Sequence, residues 1–207
     1  MNRPAPSPTS FPPTLTANAA DRTTIARILK VNHAGEYGAI RIYRAQIAVA
    51  KRLYPDVLAF LSETLAHEVR HCEQFRAAMP ARQARPCRIM SLWGNGGYVL
   101  DLVTALMGRQ GIWICTAAVE GAVHRHLEDQ LHFLDRRDAE LRDLVLSIQQ
   151  EGLSHLHHAE ERIIAMSWWA PALASFIASS TDAAIWLSTW GDSTRMAREL
   201  TAARKTS

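Results

Sequence analysis

Cysteine is scarce: Cys72, Cys87 and Cys115 are odd in number, unevenly placed and form no C-x-x-C, which excludes a disulfide framework and reads as reduced thiols in a cytoplasmic setting. A basic block is missing as well. The net charge is +3 with Lys and Arg spread along the chain, arguing weakly for an anionic lipid surface and, with no motif for it, against nucleic acid. No segment alternates apolar and polar residues long enough to make a strand, so the expected class is all-α. Long apolar runs are absent too. The N-terminal "MNRPAPSPTSFPPTLTANAA" has Pro and Ser where a signal peptide needs an apolar stretch, so export is not expected. The most apolar segment, residues 98–134, is broken by Asp101 and by Arg109, Gln110 and Gly111, short of the roughly 20 residues that a bilayer requires.

What is present suits one folded domain: 48% hydrophobic and 21% charged residues in a chain of 207. Its expected bounds are 21–200, with a disordered tail over 1–20 and a flexible one over 201–207. Apolar residues recur at helical spacing over 21–53, with Asp21 as the cap, and over 58–80, ending at Pro80. A loop rich in Arg, Pro and Gly then leads into the apolar run 98–134. A further helix follows over 136–166, and a last apolar one over 168–200.

Glu36 lies in "NHAGEYGAIRIYRAQ" beside Ala34, Gly35, Gly38 and Ala39. Such a residue is either a solvated helix position or a ligand that neighbouring helices approach closely. Glu68 and His71 in "HEVRH" stand three apart, one above the other on a helix, a pair that also arises by chance on solvent faces. Glu120 in "TAAVEGAV" sits in the most apolar helix, where an unpaired carboxylate is costly unless a cation or hydrogen bonds compensate it. Its alternative is escape to solvent along a polar stripe with His124 and Glu128.

Spacing favours the ligand reading. Glu36 and His71 are 35 residues apart, and so are Glu120 and His155, as if one helix pair occurred twice. Glu68 follows Glu36 by 32, which points to position 152 in the second copy; that position is Gly152, and the nearest carboxylate is Glu151, four before His155. A spacing of four keeps both on one face. Helices that each turn a Glu, or a Glu with a His, inward are the layout of di-iron and di-manganese carboxylate bundles. The expected ligands are Glu36, Glu68, His71, Glu120, Glu151 and His155: hard carboxylates neutralise two divalent ions, imidazoles take terminal positions, and open positions remain for dioxygen.

"VNHAGEYGAIRIY", the E-x-x-H of "HEVRH", "RPCRIMSLWGNGGY", "ICTAAVEGAVHRHLEDQL" and "AAIWLS" resemble, in the same order, the landmarks of the demethoxyubiquinone hydroxylase family, over roughly residues 26–190. The resemblance implies a ferritin-like four-helix bundle with additional apolar, membrane-interfacial segments. It also implies a di-iron monooxygenase of ubiquinone biosynthesis, using two iron ions, dioxygen and an external reductant to hydroxylate the ring of a polyprenylated methoxy-methyl benzoquinone. Carried over by position, the ligands are Glu36, Glu68, His71, Glu120 and His155, and His126 matches a family histidine near the metals. Two departures stand out: Gly152 replaces a ligand, and Gly121 stands where a second Glu often follows the first.

A polyprenyl tail stays in lipid, so the implied location is peripheral, at the cytoplasmic face of the cell membrane. The run from Trp93 to Trp113, with Arg109 reaching headgroups, is the expected contact, an ordinary core helix being its alternative. A lipid-binding accessory protein, found with the family in some organisms, and a homo-oligomer are the candidate protein partners. Two other functions compete: a ferritin-like bundle that binds or oxidises iron without an organic substrate, and a scaffold whose metal site has decayed, as Gly152 suggests.

Overall fold

The computed structural model describes residues 18–87, 102, 104–163 and 169–205, and among them there is no strand. Helix α1, Ala19–Leu53, is capped by Asn18, whose side-chain oxygen accepts the Asp21 backbone N–H at 2.9 Å. The expected cap, Asp21, thus lies in the first turn, where its charge suits the helix dipole and pairs with Arg137 at 3.1 Å. Pro55 cannot continue the helix, and a single turn over Pro55–Val57 reverses the chain into α2, Leu58–Ala78. After Pro80–Arg82 come α3, Arg109–Leu134, and α4, Ala139–Glu160. Asp138 caps α4 by accepting from the Leu141 N–H at 3.1 Å and grips buried Arg82 through two bonds of 2.6 and 2.8 Å, tying the end of α2 to the start of α4.

The stretch expected as one terminal helix is two: α5, Ala170–Thr189, and α6, Asp192–Lys205. Trp190 (φ 56°) and Gly191 (φ 75°) break it, with Gly191 N–H donating to the Trp186 carbonyl and Trp190 N–H to that of Leu187. This is a Schellman ending with a bulky residue in the left-handed position that usually belongs to glycine. Helix α6 also carries the chain to Lys205, into the expected tail, while residues 1–17, 206 and 207 lie outside the described residues.

Helices α1 and α2 form one antiparallel pair and α3 and α4 another; α5 and α6 pack across α1 and α3. One apolar cluster joins Ile28, Leu29, Phe75, Leu134, Leu141 and Leu200; a second joins Tyr43, Leu61, Ile112 and Trp113. Along each helix of the two pairs, the acidic and histidine positions fall between these clusters. The result is an all-α bundle of ferritin-like layout.

The described part of the expected membrane contact is mixed, buried at one end and exposed at Leu106 and Met107. Trp113 is buried, edge-on to Phe60 at 5.3 Å between ring centres, and Arg109 is held by two bonds to Asp56. Trp93 lies outside the described residues. Exposed large apolar side chains stand within that run at Leu106 and Met107, and others gather at Phe176, Trp186, Leu187 and Trp190, on α5 and its end. No described helix is long and apolar enough to cross a membrane.

Candidate metal centre

Each of the four bundle helices brings its expected residue to the middle: Glu36 from α1, Glu68 and His71 from α2, Glu120 from α3 and His155 from α4, all buried. Donor atoms of Glu36, Glu68 and His71 lie within 4.8 Å of one another, and so do those of Glu68, Glu120 and His155. Glu68 belongs to both groups. His71 Nδ1 is 3.7 Å from Glu36, and His155 Nδ1 is 3.7 Å from Glu68 and 3.5 Å from Glu120.

Three buried carboxylates this close repel one another. Burial first, then the charges of Glu36 and Glu120, hold the Glu68 carboxyl well above the usual carboxylate range. His155 Nδ1 is buried and has no hydrogen-bond partner, an orphaned ring nitrogen facing two carboxylates. Hard oxygen donors, inward imidazoles and an unsatisfied ring nitrogen fit a pair of divalent ions, which would answer both the repulsion and the orphan. Tyr43, fully buried, donates its hydroxyl hydrogen to Glu120 at 2.9 Å. Burial, and then Glu120 and Glu68, push its phenol well above the ordinary value, so it stays a donor.

Glu151 stands outside both groups. Its carboxylate accepts from the far ring nitrogen of His71, Nε2, at 3.1 Å and pairs with Arg70. Position 152 is the one that faces inward: a Cβ on Gly152 would lie 3.1 Å from Glu120 Oε2, tight enough that the carboxylate would have to move. One residue turns a side chain by about 100° around the axis, which separates an inward 152 from an outward 151. His126 sits half-exposed at the rim, 3.5 Å from Asp182.

A cavity of about 450 Å³ opens onto Glu36, Glu68, His71 and Glu120, with Val119, Val123, Leu127, Ile148 and Ile185 among its apolar walls. Gly35 and Ala39 line it too. A Cβ on Gly35 would come no closer than 3.9 Å to Ile185, and one on Gly38 would meet nothing within 4 Å, so helix approach does not demand these glycines; small side chains keep the cavity open. Between α2 and α4 lies a second, more polar cleft reaching His155, lined by Glu63, Thr64, His67, Glu151 and His158. Sequence reading missed Tyr43 and His67. Both carried a signal, Tyr43 lying seven after Glu36 and His67 four before His71, each on the face of a ligand.

The family model described as "Ubiquinone biosynthesis protein COQ7" matches residues 23–188. A Rattus norvegicus protein named NADPH-dependent 3-demethoxyubiquinone 3-hydroxylase, mitochondrial, is 35% identical over 178 residues, 84% of this chain and 81% of the relative. A Rhodospirillum rubrum 3-demethoxyubiquinol 3-hydroxylase is 34% identical over 164 residues, 79% of this chain and 77% of the relative. A Saccharomyces cerevisiae 5-demethoxyubiquinone hydroxylase, mitochondrial, is 30% identical over 156 residues, 70% and 67% respectively. With a match across most of its length and relatives at this identity, the chain belongs to the COQ7 family of ubiquinone biosynthesis proteins.

Proposed function

We propose that this protein is a di-iron monooxygenase that hydroxylates the ring of a polyprenylated demethoxyubiquinone or its quinol. The observation that carries this reading is the pair of buried Glu/His groups sharing Glu68 at the wall of an apolar cavity. Glu36, Glu68 and His71 would hold one ion and Glu68, Glu120 and His155 the other. Iron, when bound, supplies the activation of dioxygen by electrons from an external reductant, one oxygen atom entering a ring C–H bond and the other leaving as water.

The chain's own residues supply the rest. Apolar walls exclude water and hold the ring against the carboxylates, and the Tyr43 hydroxyl fixes one oxygen of Glu120. Phe176, Trp186, Leu187 and Trp190 form the face that meets the bilayer, with Trp186 also lining the cavity, so a lipid-borne substrate enters beside α5. The enzyme is then peripheral to the membrane. Trp186→Asp is expected to weaken co-sedimentation with liposomes; unchanged binding would move the membrane face elsewhere.

Anaerobic loading of purified protein with ferrous iron is expected to give close to two ions per chain, and the loaded protein, given reductant and oxygen, to convert the quinone. A value near zero would leave a scaffold with a decayed site. The polar cleft that reaches His155 favours a second reading, an iron-oxidising bundle. Two bound ions with ferrous oxidation but no quinone product would select it.

A further inference from the structure

An imidazole that serves a metal presents one nitrogen to it, and the other nitrogen needs a partner to fix tautomer and ring angle. Both inward histidines have such a partner, supplied each time by the opposite helix. His71 on α2 turns Nδ1 inward, and its Nε2 lies 3.1 Å from Glu151 on α4. His155 on α4 turns Nδ1 inward, and its Nε2 lies 3.0 Å from His67 Nδ1 on α2. The His67 and His155 rings stack with centres 5.2 Å apart. Glu151 and His67 also meet each other, at 3.6 Å, and Arg70 anchors Glu151 from the outside.

The register of the two helix pairs gives this arrangement a simple origin. Positions 36, 68 and 71 recur at 120, 152 and 155, a shift of 84 residues. The same shift carries His67 to Glu151. Glu151 is therefore the counterpart of His67 and not of Glu68, and each stands four residues before the inward histidine of its own helix while reaching across to the histidine of the other.

We infer that His67 and Glu151 are a reciprocal pair of positioning residues that fix the rings of His155 and His71, with neither of them a metal ligand. With His155 Nδ1 given to the metal, the neutral ring carries its proton on Nε2, which then donates to His67 Nδ1. For His71, Nε2–H donates to the Glu151 carboxylate. The inference rests on the di-metal reading for its purpose but on the protein's own hydrogen bonds for its geometry, and the two are tested apart.

Ring nitrogen NMR of the full-length, metal-free protein tests the pairing. His67→Ala is expected to shift the His155 ring signals and spare those of His71, and Glu151→Ala to do the reverse; signals unmoved by either variant would overturn it. Cobalt(II) titration, followed by its visible absorption against a competing chelator, tests the purpose. Each alanine variant is expected to keep two sites and lose about ten- to hundredfold in affinity at one of them. His67→Gln and Glu151→Gln, which keep an acceptor, are expected to recover most of the loss. His67→Ala is expected to add nothing to His155→Ala but to worsen His71→Ala, a pattern that general loosening of the fold would not give. Loss of one cobalt in Glu151→Ala with no recovery in Glu151→Gln would make Glu151 a ligand and overturn the inference. No cobalt bound by the parent, with the ring signals behaving as expected, would sink the di-metal reading and leave the pairing standing.

Discussion

The α1–α2 pair and the α3–α4 pair place matching positions 84 residues apart, yet they do not contribute equally to the centre. The first supplies Glu36, Glu68 and His71; the second supplies Glu120 and His155, with Gly152 at the place that corresponds to Glu68. Because the space over Gly152 is already approached by Glu120, the second pair does not simply lack a side chain: its remaining carboxylate leans where the missing one would begin. Glu68 then serves both groups by itself. The candidate centre is thus uneven, with one shared carboxylate from one helix pair and a glycine at the equivalent position of the other.

The sharpest way to break the comparison is to remove the shared residue. Glu68→Ala is expected to abolish binding of both ions, and turnover with it, whereas Glu36→Ala and Glu120→Ala should each release one. Metal analysis and a quinone assay check the stoichiometry, and circular dichroism should find helical content retained in all three. Equal losses in the three variants would mean that Glu68 has no special place.

Glu68→Gln separates charge from shape. A carboxyl whose folded value is raised holds its proton more tightly folded than unfolded, so it favours the fold fully below the ordinary value of 4.5 and loses that contribution as pH climbs toward the raised value. Metal-free Glu68→Gln is therefore expected to melt higher than the metal-free parent at neutral pH, by about 2–4 °C for each kcal/mol of relieved desolvation. That advantage should shrink on acidification toward pH 4.5.

Gly152→Glu tests whether the uneven halves can be made even. The new side chain starts 3.1 Å from Glu120, so the metal-free variant is expected to lose at least about 1–3 kcal/mol to overpacking, and more to a fourth buried charge. Two divalent ions would neutralise that charge. The gap in melting temperature between loaded and metal-free protein should consequently widen relative to the parent; an unchanged gap would place the new carboxylate outside the centre.

Much of this was legible in the sequence, because a ligand's helix face follows from its residue number once a repeat fixes the register. Glu36, Glu68, His71, Glu120 and His155 could be brought together on paper for that reason. Glu151 was harder: four before His155 is as good a helical neighbour as three, and only packing decides which of two adjacent positions faces inward. That Trp113 packs on Phe60 and Arg109 pairs with Asp56 was not legible either, because those partners are about 50 residues away in the chain. The break at Trp190 was illegible for a different reason. Residue statistics reserve the left-handed position for glycine, and here Gly191 follows one place later.

The smallest expected effect belongs to Tyr43, which touches only the second group. Its hydroxyl donates to Glu120, its ring is packed in the apolar cluster with Leu61 and Ile112, and its raised phenol keeps the proton in place at any ordinary pH. Tyr43→Phe preserves that packing and removes one hydrogen bond, a net change of about 0.5–1.5 kcal/mol. If Glu120 is fixed by this bond, the ion held by Glu68, Glu120 and His155 should bind roughly two- to tenfold more weakly, while the one held by Glu36, Glu68 and His71 stays unchanged. Cobalt titration of Tyr43→Phe beside Glu36→Ala resolves the two sites. Equal weakening at both would show that Glu68 transmits the change between the halves; no weakening at either would mean that packing alone sets the Glu120 carboxylate, leaving the tyrosine hydroxyl merely satisfied by it.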